Sequence, residues 1–178
     1  MAPLSDARVR QYLSVMQNAA SAVEKGRSLE DLLCYVFGKI PGIAITHRDQ
    51  LNTFESEEID IALWNDCSVG SLDFLPNIIL IEAKNWSAAV GSSEVAWFDR
   101  KLQNRGLDFG ILVAVNGITG NATDRTAAHE IIAGSLRDHR RMVVMTGNDL
   151  FGLRQTDALV TFIKTKLCEL AVTGTLFP

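Results

Sequence analysis

The sequence predicts an α/β protein in which helices flank a central sheet. Residues 78–81 form an unbroken aliphatic run after Pro76, which is typical of a strand covered on both faces. Residues 59–64 alternate between two faces, as a half-buried strand does. A third apolar run, residues 110–115, follows a helical pattern that ends at Gly106. Strands and helices in this succession indicate a layered α/β fold.

The predicted elements run in the order helix, three strands, helix, strand, and then helix, strand, helix. They are helices at 6–25 and 28–39, strands at 43–48, 59–64 and 78–84, a helix at 93–104, a strand at 110–115, a helix at 121–139, a strand at 142–145 and a helix at 157–172. No repeat or linker interrupts them. We therefore expect one domain over residues 1–178, with a core at about 27–150, an N-terminal helix at 5–25 and a C-terminal helix at 156–173.

The composition indicates a single globular domain and gives no sign of a membrane-spanning, disulfide-rich or zinc-binding protein. The chain has 178 residues, 47% of them hydrophobic, which suffices for one substantial core. No apolar run approaches the roughly 20 residues that span a bilayer. The N-terminus also lacks a signal-peptide pattern, so a cytoplasmic location is the default expectation. The three cysteines have neither disulfide-framework nor zinc-ligand spacing. A net charge of −4 argues against strong nonspecific binding to nucleic acid.

An acid and an amine end the aliphatic strand. Glu82 and Lys84 occupy alternate positions, so their side chains project from the same face. Asp60 interrupts the preceding strand, and the turn-rich segment after that strand allows a return that places Asp60 beside Glu82. Neighbouring carboxylates repel unless a cation neutralises them, and oxygen ligands suit Mg²⁺ or Mn²⁺. Removing either carboxylate should therefore leave the metal-free fold intact or somewhat more stable. The alternative is a structural ion pair.

These residues resemble a known family. Asp60, followed by Glu82-Ala83-Lys84 at the end of an apolar strand, resembles the PD-(D/E)xK signature of nucleases with the restriction-endonuclease-like fold. The segments at 90–102 and 109–120 are similar to the Mrr-like, defence-associated branch. The resemblance spans about residues 27–150. Ile59 stands where the motif has a proline, although this branch often lacks that proline.

The resemblance implies a restriction-endonuclease-like core with a mixed central sheet. It also implies a DNA endonuclease that uses Mg²⁺ or Mn²⁺, in restriction or anti-phage defence. Asp60 and Glu82 would be catalytic metal ligands, the Ala83 carbonyl a third ligand, and Lys84 the group that positions or deprotonates the attacking water. Glu30 matches the further acid that this family often carries in the helix before the first strand. The alternative for Glu30 is an acid favoured by the helix dipole.

Two regions are expected to contact DNA. Arg100, Lys101 and Arg105 cluster on one predicted helix, and Thr119 and Asn121 lie in a loop that opens another, where backbone N–H groups can bind a phosphate. Solvated surface charge and ordinary helix capping are the alternatives.

Two other functions stay open. One is a noncatalytic nucleic-acid-binding or assembly subunit that keeps the nuclease fold, and the other is a nucleotide-binding domain centred on residues 117–123. The sequence shows no separate recognition domain, so target recognition is expected from a homodimer or a partner subunit. The closing helix carries an apolar stripe that could serve its own core or a second copy, formed by Leu159, Val160, Ile163, Leu167 and Leu170.

Overall fold

The computed structural model describes residues 2–51, 57–120 and 127–175. Within these ranges five strands form one sheet in the order β1-β2-β3-β4-β5. They are β1 (Ile43–Leu51), β2 (Glu58–Asn65), β3 (Ile78–Lys84), β4 (Phe109–Ala114) and β5 (Arg141–Met145). The pairs β1–β2 and β2–β3 are antiparallel, whereas β3–β4 and β4–β5 are parallel. The predicted mixed central sheet is confirmed.

Helices cover both faces of this sheet. They are α1 (Asp6–Asn18), α2 (Ala22–Phe37), α3 (Ser92–Asn104), α4 (Ala127–Arg137), α5 (Gly147–Phe151) and α6 (Thr156–Thr173). Residues of α1, α2 and α6 share one buried cluster with Ile79 and Ile81 of β3. Residues of α3 and α4 share the other with Leu80. Strand β3 is therefore buried on both faces, as its unbroken aliphatic run predicts.

The N-terminal helical region differs from the prediction. The single helix expected at 6–25 is wrong, because the chain breaks after α1 and a new helix begins at Ala22. Ser21 caps that helix, since its side chain accepts a hydrogen bond of 3.1 Å from the backbone N–H of Glu24. Ser28 lies inside α2, where its hydroxyl donates to the Tyr12 carbonyl at 2.8 Å. The longer α2 carries Glu30 on its inner side, next to the sheet.

Helix α3 packs directly on β4 because a glycine leaves room for it. A Cβ atom added at Gly110 would lie 2.8 Å from Phe98 Cζ and 2.9 Å from Leu102 Cδ1. Both of those side chains are buried. The lack of a side chain at Gly110 therefore allows α3 to lie this close to the strands that it covers.

The apolar stripe of α6 packs within the same chain. Leu159, Val160, Ile163 and Leu170 are buried, and Leu167 packs against the core. The stripe is therefore not an open surface for a second copy. In the part of the chain that the structure describes, no helix is long and apolar enough to cross a membrane.

Candidate active site

Asp60 and Glu82 lie side by side because β2 and β3 are antiparallel. Ile61 pairs with Ile81, so the next position outward places Asp60 opposite Glu82. This confirms the predicted placement of the two residues on neighbouring strands. Asp60 Oδ2 accepts a hydrogen bond of 2.7 Å from the backbone N–H of Ala83. Burial, and next the charge of Glu82, raise the pKa of Asp60 to about 6.

Two lysines from different elements hold the Glu82 carboxylate. Its Oε1 lies 2.8 Å from Nζ of Lys84 on the same strand, and its Oε2 lies 2.7 Å from Nζ of Lys101 on α3. Glu82 and Lys101 are each only 3% exposed. A buried ion pair of this kind keeps its charges only because the partners are close enough to offset the loss of hydration.

The Lys84 amine is held in its protonated form. Burial lowers the pKa of Lys84, but the charges of Glu82 and Asp60 and the hydrogen bond to Glu82 outweigh that effect, so the net shift is upward. Its Nζ also lies 5.9 Å from the centroid of the Trp86 ring. A protonated amine can donate hydrogen bonds to a phosphate or to water, whereas it cannot act as a base.

A cavity of about 210 Å³ collects most of the predicted catalytic residues. Glu30, Asp60, Ala83 and Lys84 line it, together with the carboxylates of Asp49 and Glu58. The residues that line this cavity do not include Glu82, whose carboxylate is buried between its two lysines. The structure thus brings Glu30, Asp60 and Lys84 together at one opening and places Glu82 behind them.

Glu30 is tied into an ionic network that reaches the edge strand β1. Arg48 Nε lies 3.1 Å from Glu30 Oε2, and Arg48 Nη1 lies 2.5 Å from Asp31 Oδ1. Burial, and next a hydrogen bond with Asp49, raise the pKa of Glu30 to about 7, while Arg48 acts in the opposite direction. Sequence reasoning missed Arg48 and Asp49, because charged residues on an edge strand are ordinarily solvated.

The oxygen donors of this cavity fit a hard divalent cation. Among the described residues, no three His, Cys, Asp or Glu side chains converge as a metal-binding group. An ion would therefore also need the Ala83 carbonyl and water, a donor set that suits Mg²⁺ or Mn²⁺. Each carboxylate oxygen has two lone-pair sites, so Glu82 can accept from a lysine and still offer a site to a cation.

The residues expected to contact DNA lie in different environments. Lys101 does not face a surface: its amine is buried against Glu82, which corrects the surface role expected for it. Arg100 is exposed on α3, and Arg105 is paired with Glu57. The Thr119 N–H donates to the Val90 carbonyl at 2.9 Å, within a parallel β-bridge that ties this part of the loop to the segment before α3. Asn121 lies outside the described residues.

The model of the family described as Mrr_cat, restriction endonuclease, matches residues 25–151, which is more than half of the chain. The chain belongs to this restriction endonuclease family. The predicted membership of the PD-(D/E)xK nuclease superfamily is thereby confirmed. A comparison with curated proteins gave no match.

The Mrr_cat match covers all the predicted catalytic residues and leaves both ends of the chain outside it. It begins at Lys25 in the first turn of α2 and ends at Phe151, the last residue of α5. Glu30, Asp60, Glu82 and Lys84 all lie within the matched residues. Helices α1 and α6 lie outside them, although both pack on the same core.

The raised carboxyl pKa values in this Mrr_cat site predict a pH-dependent stability. On folding, the pKa of Asp60 rises from 3.8 to about 6 and the pKa of Glu30 rises from 4.5 to about 7. The folded chain therefore binds protons more tightly, and the stabilisation that this gives is lost as pH rises from about 4 to 7. After allowance for solvent screening, each group should contribute about 1–2 kcal/mol.

Thermal unfolding in excess chelator should show this directly. The melting temperature should fall by several degrees between pH 5 and pH 8, with about 2–4 °C for each kcal/mol. Asp60→Asn and Glu30→Gln should each flatten the curve. Glu130→Gln, an exposed position on α4, should leave it unchanged. Equal slopes in all four proteins would contradict the assignment.

Proposed function

We propose that the chain is a Mg²⁺- or Mn²⁺-dependent endodeoxyribonuclease that hydrolyses phosphodiester bonds in restriction or anti-phage defence. The observation that carries the proposal is the meeting of Asp60, the Ala83 backbone and Lys84 in one cavity of a restriction endonuclease family member. Hydrolysis of a phosphodiester needs an activated water, a positive group beside the phosphate and a neutralised leaving oxygen. The cavity offers residues suited to each task.

The carboxylates would hold the ion. Asp60 and Glu82 would bind it with the Ala83 carbonyl, and Glu30 would hold a second ion or its water. A bound Mg²⁺ or Mn²⁺ ion lowers the pKa of its water and offsets charge on the phosphate. The hydrogen bond from the Ala83 N–H fixes Asp60 Oδ2, so the other Asp60 oxygen is the one oriented for binding.

Lys84 would orient the attacking water rather than deprotonate it. Its raised pKa keeps the amine protonated at neutral pH, so it can donate to the attacking water or to a nonbridging phosphate oxygen. As negative charge develops on the phosphorane, a fixed ammonium group at the cavity stabilises it without reorganisation.

A noncatalytic DNA-binding or assembly subunit is the second candidate function. One observation favours it: both Glu82 oxygens are taken by lysines, and the carboxylate stands behind the cavity. In that case the ion pair would be purely structural. A subunit of this type should gain no thermal stability from divalent ions, whereas a metal-binding nuclease should gain.

Incubation with supercoiled plasmid, linear duplex and single-stranded DNA tests the proposal. Cleavage is expected with millimolar Mg²⁺ or Mn²⁺ and should stop in excess chelator. The same ions should raise the melting temperature of the chain. If no DNA is cut and neither ion shifts the melting temperature, the noncatalytic function is the correct one.

Target recognition is also proposed to need a second copy or a partner subunit. One active site cuts one strand, and a chain with a pI near 5.4 has little basic surface for holding a duplex. Light scattering during size exclusion, on the sample used for cleavage, gives the oligomeric state. A monomer that makes double-strand breaks unaided would contradict this part of the proposal.

A further inference from the structure

A cleft of about 810 Å³ opens beside the candidate active site. One wall is formed where the parallel strands β3, β4 and β5 end, by Trp86, Asn116 and Asn148. The opposite wall comes from α1, α2 and the segment between them, and includes Gln17 and Lys25. The carboxyl ends of parallel strands are where open α/β sheets commonly bind ligands.

The cleft adjoins the catalytic cavity directly. Ala22, Asn85 and Trp86 line both spaces. Trp86 follows Lys84 by two residues and is 44% exposed. A molecule that fills the cleft would therefore lie next to one held at Asp60 and Lys84.

Some polar groups of the cleft brace its walls. Asn85 Nδ2 donates to the Lys25 carbonyl at 3.0 Å and to the Met16 carbonyl at 3.3 Å, which ties the end of β3 to α1 and α2. Asn116 Nδ2 donates to the Trp86 carbonyl at 2.5 Å. These bonds fix the segment that carries the Trp86 ring.

Other polar groups of the cleft are free to bind. Within the described residues, the side-chain amides of Gln17 and Asn148 have no hydrogen-bond partner, and the Lys25 amine forms no ion pair. The cleft therefore combines two amides, one cation and an exposed aromatic ring. Amides pair with the edges of nucleobases, aromatic rings stack on their faces, and lysine binds phosphate.

A nucleotide offers an edge, a face and a phosphate together only when it is unstacked. In a duplex, the faces are covered by neighbouring bases and the pairing edge by the partner strand. We propose that the cleft binds an unstacked nucleotide of the DNA strand whose adjacent phosphodiester lies at Asp60 and Lys84. The substrate is then single-stranded or locally unpaired DNA. This inference rests on the proposed nuclease function and names its substrate class.

The wall formed by α1 lies outside the residues that the Mrr_cat model matches. The Mrr_cat match begins at residue 25, whereas Gln17, Ser21 and Ala22 precede it. Strand preference would therefore depend in part on Gln17, which lies outside the matched segment, together with Lys25 and Trp86 within it. This separation allows substitutions in the cleft that leave every proposed metal ligand in place.

Trp86 fluorescence tests the proposal without requiring cleavage. The chain has three tryptophans, and Trp64 and Trp97 are 44% and 43% exposed, so Trp64→Phe with Trp97→Phe leaves Trp86 as the sole reporter. In excess chelator, a single-stranded thymidine oligonucleotide should quench this reporter. A blunt duplex of equal length should bind at least about tenfold more weakly. Fluorescence anisotropy of labelled oligonucleotide with the unsubstituted chain gives the same comparison.

Matched variants separate the cleft from general charge effects. Gln17→Ala and Lys25→Met should each weaken single-strand binding about tenfold. Asn18→Ala, an amide on the same helix that does not line the cleft, and Lys39→Met, beyond the far end of α2, should leave it unchanged. Equal binding of duplex and single strand, or no effect of either cleft variant, would overturn the inference.

The outcomes also distinguish this inference from the proposed function. Single-strand binding that depends on Gln17 and Lys25, without cleavage under any metal, would keep the cleft assignment and refute the nuclease. Metal-dependent cleavage with no response of Trp86 to DNA would keep the nuclease and refute the cleft assignment.

Discussion

Replacing Asp60 with asparagine is expected to abolish DNA cleavage while the chain stays folded. Asparagine keeps an oxygen that can accept the Ala83 N–H, whereas alanine would leave that donor unsatisfied at a cost of about 1–3 kcal/mol. The substitution removes the negative charge that would hold a cation. Because one of two repelling carboxylates is neutralised, the metal-free chain should also gain stability at pH 8. Cleavage assays and thermal unfolding of the same sample measure both effects.

Lys84→Ala should lower the cleavage rate by at least about two orders of magnitude, because it removes the cation at the phosphate. The increase in melting temperature with Mn²⁺ should largely survive, since Lys84 is not among the proposed metal ligands. Glu130→Gln, which removes one charge from an exposed site on α4, is the control for Asp60→Asn. Full activity in Asp60→Asn or Lys84→Ala, or wild-type activity in chelator, would refute the catalytic assignment.

Glu82→Ala is expected to destabilise the chain by about 3–5 kcal/mol, because it leaves the Lys101 ammonium buried without a counter-charge. The structure therefore changes the expectation, drawn from sequence, that either carboxylate could be removed without harm. The melting temperature should fall by on the order of 10 °C. Asp60→Asn, by contrast, should raise it at the same pH.

A double variant separates the contribution of Glu82 to stability from its proposed role in catalysis. Glu82→Leu with Lys101→Met replaces the buried ion pair by apolar side chains of similar size, an exchange that is often neutral or stabilising. It should recover most of the stability that Glu82→Ala loses, yet remain inactive. If Glu82→Ala unfolds at the wild-type temperature, Lys101 is not held as the structure shows.

The sequence predicted those parts of the fold that local pattern determines. The aliphatic run before Glu82 defined β3 with the observed bounds, because a strand that is covered on both faces needs apolar side chains at successive positions. Alternation around Asp60 placed it on a strand, and the turn-rich segment that follows predicted that this strand lies beside β3. The break between α1 and α2 was missed because no glycine or proline marks it. The spacing of Ser21 and Glu24, an N-cap serine three residues before an acid, was the available signal.

Other features depend on contacts between distant segments. Lys101 has the appearance of a surface charge on an amphipathic helix, and only the packing of α3 against β3 and β4 reveals its partner on a different element. Its position three residues after the buried Phe98 was a weak hint. The large cleft is lined by residues from both ends of the matched segment and from α1, so no single stretch of sequence predicts it.

Gly110 shows how a residue without functional groups can govern the electrostatics of a site. A methyl group there would push against Phe98 and Leu102 and lift α3 from the sheet. Lys101, on the same helix, would withdraw from Glu82, although neither residue had changed. A survey of loss-of-function variants would record such a substitution as a packing defect. Its first consequence would be a buried Glu82 carboxylate with Lys84 as its one remaining lysine partner, so the defect should be partly reversible by protons or divalent ions.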